Sequence, residues 1–276
     1  MKKTAAMILA LGSAAAAQAQ TSVTIYGIAD AAIVGERGGS AGNVAKVTSG
    51  AASASRIGFR GSEDLGNGLS AIFTLETGTR IDTGEVDAAG TIFNRQAFVG
   101  LKGGFGTVAL GRQFTPLHTA LVNVVDPMGT SYAGTARNLF PDSGTNVRTS
   151  NTITYAMPRA HGIDAELAYS AGEQGDASAG RQFGGAIGYT AGPLVVRLAY
   201  NSRNSDVAAS AGVAAIDRSL GRNTLLGASY NLGWIRLHAG YQVDKGFNSA
   251  PLGNANNPYG GVKPTASTDG REALLG

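Results

Sequence analysis

The sequence predicts an all-β fold, a transmembrane antiparallel β-barrel, and three observations support this prediction. Apolar and polar residues alternate with period two in many short segments, which is the pattern of a strand with one apolar face. Tyrosines bound these segments on the apolar face, as expected for rings that prefer the two membrane–water interfaces. Short and long connections alternate between the segments, as they do at the periplasmic and extracellular ends of membrane barrels.

Composition excludes several other classes of protein. The 276 residues are 43% hydrophobic and 15% charged, with 41 glycines and no cysteine. The absence of cysteine excludes a disulfide scaffold, a thiol enzyme and a cysteine zinc site, and no metal or other cofactor is expected. Runs of about 20 apolar residues, which helical membrane proteins need, are missing after the N-terminus. Each interior glycine costs a helix roughly 0.5–1 kcal/mol relative to alanine, so the glycine content favours short strands and turns.

Residues 1–19 are predicted to be a secretory signal peptide. Lys2 and Lys3 form a cationic head, residues 5–17 are apolar, and cleavage is expected after Ala19 at a small-x-small site. The apolar run is too short to cross about 30 Å of hydrocarbon as a helix. Without the two lysines, 20 Lys and Arg residues face 19 Asp and Glu residues. This near-neutral balance argues against a nucleic-acid partner.

The strand pattern is clearest in four segments. In residues 163–169 the odd positions are apolar and the even positions acidic or small. In residues 194–200 the even positions are apolar and Arg197 lies on the opposite face. Residues 235–241 and 69–76 alternate in the same way, and Glu76 falls on the polar face of the last segment. Each segment is therefore predicted to be a strand with one apolar and one polar face.

Six tyrosines are assigned to an aromatic girdle. One row precedes short turns, the other closes the following strands at the far end, and each tyrosine shares the parity of the aliphatic residues in its strand. The rows are Tyr155, Tyr189 and Tyr230, and Tyr169, Tyr200 and Tyr241. Two aromatic rows around an aliphatic band are typical of a barrel in a lipid bilayer. A soluble sheet capped by edge tyrosines is the alternative interpretation.

One connection differs from the others. Residues 114–146 contain three prolines and no period-two pattern. Loops longer than about 15 residues in a compact fold are usually functional or disordered, so a functional role is predicted. The acidic residues of this segment are Asp126 and Asp142, each next to a proline. Ordinary turn chemistry is the alternative explanation for both.

Four segments resemble the Gram-negative general diffusion porins, a family of trimeric 16-stranded barrels. These are residues 22–27, 55–69, 95–103 and 110–113, and the resemblance runs over essentially all of residues 20–276. It implies a non-enzymatic homotrimer in the lipid of the outer membrane, with a water-filled channel for passive diffusion of small hydrophilic solutes and ions. In that family the long third loop, here about residues 114–146, folds into the barrel and narrows the pore.

The same resemblance implies a set of pore-lining arginines. They are Arg56, Arg95 and Arg148 on the wall, with Arg112 at the root of the loop. Strand alternation places Arg56 and Arg148 on the lumen face, leaves Arg95 ambiguous, and requires a bend or bulge to turn Arg112 inward.

The resemblance also predicts loop carboxylates opposite these arginines. Asp126, near the middle of the loop, is the expected partner, and Asp142 is the second candidate. Arginine stays charged at any relevant pH, so a wall of arginines facing two loop acids suggests a weak preference for anions.

Two other functions compete with a channel. An outer-membrane lipid hydrolase needs a histidine and a serine close together on the lipid-facing wall, and none of His118, His161 and His238 has a serine two strand positions away. A secreted Gly/Ala-rich adhesin would not explain alternation bounded by aromatic residues.

The strand count departs from the family. About 11 strands are predicted, and residues 271–276 begin a twelfth, whereas the family barrel has 16 and ends in an aromatic residue. A shorter complete barrel of about 12 strands and a chain truncated before its last four strands both fit. Truncation is expected, because the sequence stops inside a strand pattern.

Overall fold

A computed structural model describes most of the chain. The described residues are 22–39, 42–132, 134–142, 144–174, 178–207, 209, 211–212, 214–218, 220–249 and 265–276. The predicted signal peptide lies outside them. No helix in these ranges is long and apolar enough to cross a membrane.

Alternating apolar and polar residues form fourteen strands in the described ranges. They are β1 (Ser22–Ile28), β2 (Ala31–Gly39), β3 (Gly42–Ser49), β4 (Arg56–Gly66), β5 (Leu69–Gly78), β6 (Gln96–Gly103), β7 (Gly106–Phe114), β8 (Arg148–Ala156), β9 (Ile163–Ser170), β10 (Gln182–Ala191), β11 (Leu194–Asn204), β12 (Leu220–Asn231), β13 (Arg236–Lys245) and β14 (Asp269–Leu275). The predicted all-β fold is confirmed.

Twelve of these strands form one antiparallel sheet in the order β1-β4-β5-β6-β7-β8-β9-β10-β11-β12-β13-β14. This agrees with the predicted number of about 11 to 12. Strands β2 and β3 pair only with each other, as a hairpin inserted between β1 and β4 that the sequence analysis did not predict. Within the described ranges β1 and β14 are not paired with each other.

Connections alternate in length along the sheet as the sequence predicts. Short turns follow β4, β6, β8, β10 and β12, and the longest of them, residues 157–162, joins β8 to β9. Longer connections follow β5, β7, β9, β11 and β13. In an antiparallel sheet this alternation places all short turns at one end of the strands and all long loops at the other end. The sheet therefore has one short-turn end and one long-loop end.

The two faces of the sheet differ sharply in exposure. On β12, Leu226 is 51% exposed whereas its neighbour Leu225 is fully buried, because alternate side chains point to opposite faces. The predicted girdle tyrosines lie on the outer face: five of them are 40–47% exposed, and Tyr200 is half-buried next to the buried Ala199. The Tyr155 hydroxyl donates to the carbonyl oxygen of Phe105 at 2.7 Å.

The long connection between β7 and β8 fills the inside of the sheet. It begins with helix α1 (Pro116–Ala120), whose N-terminus is capped by the Thr115 side chain, and continues as a wider helical turn over Leu121–Val125. Apolar residues from this loop and from β10, β11 and β12 form the principal buried cluster. Its members are Leu117, Ala120, Leu121, Val125, Ala136, Phe140, Ala186, Ala199 and Leu225. The core therefore lies between the loop and the inner wall.

Two wall glycines make room for this loop. Gly227 and Gly240 face each other across β12 and β13, and a Cβ atom on either would lie 2.4 or 2.3 Å from a methyl carbon of Val125. Beside them, Nδ1 of His238 is 2.8 Å from the carbonyl oxygen of Val124. Gly227 and Gly240 thus form a notch that holds the Val125 side chain, and any larger residue at either position would fill it.

Polar contacts fix the loop to both sides of the lumen. The side-chain amide of Asn201 donates to Oδ1 of Asn146 at 3.1 Å, and Gln182 donates to the carbonyl oxygen of Thr145 at 2.9 Å. On the opposite side, the backbone amide of Tyr132 donates to the carbonyl oxygen of Ala52 at 2.8 Å. The loop therefore bridges the lumen from the β10–β12 wall to the segment that precedes β4.

Candidate pore constriction

A cavity of about 520 Å³ remains between the loop and the wall formed by β1, β4 and β5. Four of its lining side chains are guanidinium groups and one is a carboxylate. Its ionisable and polar lining residues include Tyr26, Arg56, Glu76, Arg95 and Arg148 from the wall side, and His118, Asn123, Ser131 and Arg137 from the loop. The carboxylate and the guanidinium groups give these side chains three more positive than negative charges, with histidine taken as neutral.

Glu76 organises the wall side of the cavity. Its Oε1 atom lies 2.6 Å from Nε of Arg95, and its Oε2 atom lies 3.9 Å from Nε of Arg56. The Tyr26 hydroxyl donates to Oε2 at 2.9 Å. The tyrosine ring reaches Glu76 by crossing Gly58, where a Cβ atom would lie 2.6 Å from the ring. One buried carboxylate is therefore hydrogen-bonded to Arg95 and lies within ion-pair distance of Arg56.

The structure resolves the ambiguity of Arg95. This residue lies in a bend just before β6 begins at Gln96, so strand alternation does not determine its direction. Its backbone amide donates to the carbonyl oxygen of Glu76 at 3.1 Å, which turns the side chain toward the Glu76 carboxylate. Arg95 thereby joins Arg56 at the cavity.

Arg148 lines the cavity without a carboxylate partner among the described residues. Its guanidinium carbon lies 4.4 Å from the centre of the Phe114 ring, a cation–π contact, and its Nε atom is buried without a hydrogen bond. By contrast, the largely buried side chains of Arg95 and Arg197 are each paired with a carboxylate, at 2.6 Å from Glu76 and 2.9 Å from Asp164. The positive charge of Arg148 is the least neutralised of the four.

The structure does not bring Arg112 to this cavity. The required bulge is present, since the pairing of β7 with β8 shifts between Gly111 and Gln113, and Asn151 on β8 adopts φ 56°. However, Arg112 donates from Nε to the carbonyl oxygen of Asn94 at 2.6 Å and from Nη1 to Ser150 at 2.9 Å. These bonds hold its guanidinium against the neighbouring loop and β8, and Arg112 is not among the residues that line the cavity.

Neither predicted loop aspartate faces the wall arginines. Asp126 is buried and accepts hydrogen bonds from the backbone amides of Met128 and Thr130 at 2.9 and 2.8 Å and from the Thr135 hydroxyl at 2.6 Å. It stabilises a turn within the loop, which is the alternative that the adjacent proline had left open. The expected role of Asp126 as the acidic partner therefore has to be corrected.

Asp142 is also directed into the loop. Both of its carboxylate oxygens lie 2.9 Å from Nδ1 of His118, and Oδ2 lies 3.0 Å from Nε of Arg137. It is buried, and it is not among the residues that line the cavity. Its arginine partner comes from the loop and not from the wall, so this expected role is corrected as well.

Three functional candidates were missed by sequence reasoning. Glu76 had a usable signal, because its parity places it on the polar face of its strand, but the family resemblance implies acidic residues on the loop. Arg137 and His118 carried no local signal, since the loop has no periodicity from which a facing direction can be derived.

The fold and the cavity together define a class of protein. A membrane-facing antiparallel sheet surrounds a lumen with its twelve strands, although β1 and β14 are not paired in the described ranges, and an inward-folded loop narrows that lumen to a cavity lined by charged side chains. Such an arrangement filters solutes by size and by field, because fixed charges close to the path attract one sign of ion and repel the other. This is the architecture of a diffusion channel.

Comparison with known proteins agrees with this class. The Gram-negative porin family model matches residues 4–270. Outer membrane porin protein 32 of Delftia acidovorans is 36% identical over 282 aligned residues, which are 95% of this chain and 77% of that protein. An outer membrane porin of Bordetella pertussis is 33% identical over 310 aligned residues, 99% of this chain and 79% of the relative.

A solved structure supports the same assignment. The anion-selective porin from Comamonas acidovorans has a TM-score of 0.69 and 33% identity, and the alignment covers 82% of this chain and 68% of that one. The chain belongs to the Gram-negative porin family. It is an outer membrane porin, so the predicted family, function and location are confirmed.

Proposed function

We propose that the constriction consists of Arg56, Arg95, Arg137, Arg148 and Glu76, and that it gives the channel a preference for small hydrophilic anions. The observation that supports this proposal is the imbalance of four guanidinium groups against one carboxylate around a single cavity. The solved relative described as an anion-selective porin, at 33% identity, is consistent with it.

The size of the preference follows from electrostatics. Two unit charges about 4 Å apart interact by about 1 kcal/mol in bulk water, which corresponds to a factor of about five in relative occupancy. Glu76 neutralises part of the arginine charge, since it lies within 4 Å of both Arg95 and Arg56. Salt screens the remainder over about 10 Å at 0.1 M ionic strength. A weak preference is therefore expected.

This preference can be measured as a reversal potential. Purified protein is placed in planar bilayers under a salt gradient. The potential at which the current is zero should then be shifted toward the equilibrium potential of the anion. Because ionic screening weakens the field, the anion-to-cation permeability ratio should fall as the mean salt concentration rises. A ratio below one at low salt would contradict the proposal.

We also propose that the chain catalyses no reaction on lipid. A hydrolase of the outer membrane requires its histidine on the lipid-facing wall. His118 and His238 lie inside the lumen, where their Nδ1 atoms contact Asp142 and the Val124 carbonyl oxygen. His161 lies in the short turn between β8 and β9. Incubation of the purified porin with phospholipid vesicles should release no fatty acid.

A homotrimer is proposed from the unequal outer surface of the sheet. The six girdle tyrosines lie on β8 to β13, whereas the outer faces of β1 and β4 to β7 carry no tyrosine among the described residues. On β4 to β7 the outer face forms a mainly apolar groove of about 420 Å³, whose lining includes Phe73, Val99 and Leu110, with Glu63 of β4 as its one charged residue. A surface without tyrosine at the interface levels fits contact with neighbouring protein better than contact with lipid headgroups.

The oligomer is expected to dissociate when a charge enters this groove. In Val99→Arg the guanidinium would be buried in the subunit interface, because Val99 is 60% exposed on the outer face of β6. Ile187→Arg is the matched control, since Ile187 is 51% exposed on β10 within the tyrosine-bearing surface. Light scattering in detergent should give trimers for the wild type and the control but monomers for Val99→Arg. Equal oligomeric states in the two variants would refute this interface.

A further inference from the structure

We propose that Asn223, Asp244 and Glu272 form a calcium site on the inner wall of β12, β13 and β14. The site is separate from the constriction, because none of these residues lines its cavity. Each of them has one buried side-chain oxygen atom without a hydrogen-bond partner in the described part of the chain. These atoms are Oδ1 of Asn223, Oδ2 of Asp244 and Oε2 of Glu272. Three such oxygen atoms on three adjacent strands point to a bound cation.

Strand pairing brings the three residues together. Asn223 lies opposite Asp244 in the pairing of β12 with β13. Asp244 lies opposite Gly270 of β14, two residues before Glu272. Alternate residues of a strand point to the same face, so the three side chains share the inner face with the buried Leu225. The Asn223 amide nitrogen donates to Oδ1 of Asp244 at 2.5 Å, and the carboxyl groups of Asp244 and Glu272 are in hydrogen-bond contact.

The two carboxyl groups have no basic partner among the described residues. No lysine, arginine or histidine nitrogen in these ranges lies within 4 Å of either group. The basic residues next to them on the three strands have the opposite parity and are exposed on the outer face: Arg222, Lys245 and Arg271. Carboxylates in contact repel each other, and a buried charge is unfavourable unless an opposite charge pairs with it. A shared proton or a bound cation would supply the missing positive charge.

The buried amide of Asn223 favours the cation. This side chain is fully buried, and a proton shared by the two carboxyl groups would leave its Oδ1 atom without a partner. A cation binds carboxylate, amide and carbonyl oxygens together. The carbonyl oxygen of Asn248, which lies 2.9 Å from the Asn223 amide nitrogen, adds a further oxygen beside the site. Ca²⁺ accepts such an all-oxygen set in flexible geometry, whereas Mg²⁺ needs a near-ideal octahedron and retains its water.

Calcium binding and thermal unfolding of the purified porin test the inference. With two carboxylates, the site should bind Ca²⁺ with a Kd on the order of 10⁻⁴–10⁻³ M, as weak extracellular sites do. Equilibrium dialysis at about pH 8, where ordinary carboxyl groups are ionised, should show one such ion per chain. A ligand that binds only the folded chain stabilises it, so Ca²⁺ in about tenfold excess over Kd should raise Tm by about 3 °C relative to EDTA. Mg²⁺ at the same concentration should raise it by less.

Glu272→Gln and Asp244→Asn distinguish a cation site from a structural hydrogen bond. Each variant should lose the bound ion and the rise in Tm caused by Ca²⁺. In EDTA each should unfold at the wild-type Tm or above it, because the repulsion between two carboxylates is removed. A purely structural role predicts a lower Tm in both conditions. Glu166→Gln is the matched control, since Glu166 faces the lumen from β9 with its charge balanced by Arg197, and it should respond to Ca²⁺ as the wild type does.

Several outcomes would overturn the site. If the wild type binds no Ca²⁺ and shows no rise in Tm, the carboxyl groups share a proton instead. A rise that persists in both variants, or an equal rise with Mg²⁺, would show that the ion acts elsewhere on the protein. An equal loss in Glu166→Gln would mean that the effect follows the total charge of the lumen. If one variant does not fold, the other supplies the same comparison.

Discussion

Arg148→Glu is expected to produce the largest loss of anion preference of any single substitution in the constriction. The guanidinium of Arg148 has no carboxylate partner in the described ranges, so its charge is the least compensated in the cavity. Replacement by glutamate changes the local charge by two units and leaves three guanidinium groups facing two carboxylates. With about 1 kcal/mol per unit charge at about 4 Å, two units amount to about 2 kcal/mol, so the permeability ratio should fall by about 25-fold at low salt.

Arg112→Glu is the matched control for this experiment. Arg112 lies at the end of the neighbouring strand β7 and carries the same charge, but it is held by the Asn94 carbonyl oxygen and Ser150 outside the cavity. Its substitution should change the reversal potential by much less than Arg148→Glu does. Equal shifts in both variants would show that selectivity depends on the overall charge of the channel mouth and not on the cavity.

Gly240→Ala is expected to displace the constriction loop. A Cβ atom at this position would lie 2.3 Å from Cγ1 of Val125, and the side chain of Val125 is fully buried against the wall. Overpacking of a well-packed core typically costs about 1–3 kcal/mol. The loop should therefore move away from the wall at Gly240. This displacement should lower the thermal stability, alter the single-channel conductance and weaken the anion preference together. Thermal unfolding and bilayer recordings on the same preparation would check this.

Two controls assign this effect to the loop. Gly35→Ala introduces the same methyl group on β2, where no atom lies within 4 Å of the added Cβ position, and should leave both properties unchanged. In the double variant Gly240→Ala with Val125→Ala the conflicting methyl groups are removed. Stability and conductance should then return part of the way to the wild type, because the two sites are in contact and their effects are not additive. A double variant as impaired as the sum of both single variants would contradict the proposed clash.

The charged site was only partly predictable from the sequence. The arginines at positions 56 and 148 were expected at the lumen, and the structure places both at the cavity. The alternation that predicted the direction of Arg148 is interrupted by the bulge near Asn151: Thr149, and not Ser150, is buried beside Thr152. Irregular pairing of this kind depends on the neighbouring strand, so it leaves no period in the sequence of β8 itself.

The acidic side of the site shows where local reasoning ends. Asp126 was expected to oppose the arginines because it is acidic and lies near the middle of the loop. Instead, this carboxylate accepts hydrogen bonds within the loop, because two backbone amides and a hydroxyl need an acceptor where the chain turns. Burial of unpaired amides would cost more than an ion pair across water contributes. Glu76 instead supplies the negative charge from the wall.

The sequence alone determined the strands, their two faces, the alternation of turn and loop lengths, and the family of the protein. Each of these depends on residues close together in the chain, since side-chain direction in a strand repeats every two residues. The tertiary structure decided which charges meet. Glu76 reaches Arg95 because β5 pairs with β6, and the loop narrows the lumen on the β1 and β4 side because Gly227 and Gly240 leave a notch for Val125 on the opposite wall. Pairing and packing between distant segments set these contacts, so periodicity within one segment could not reveal them.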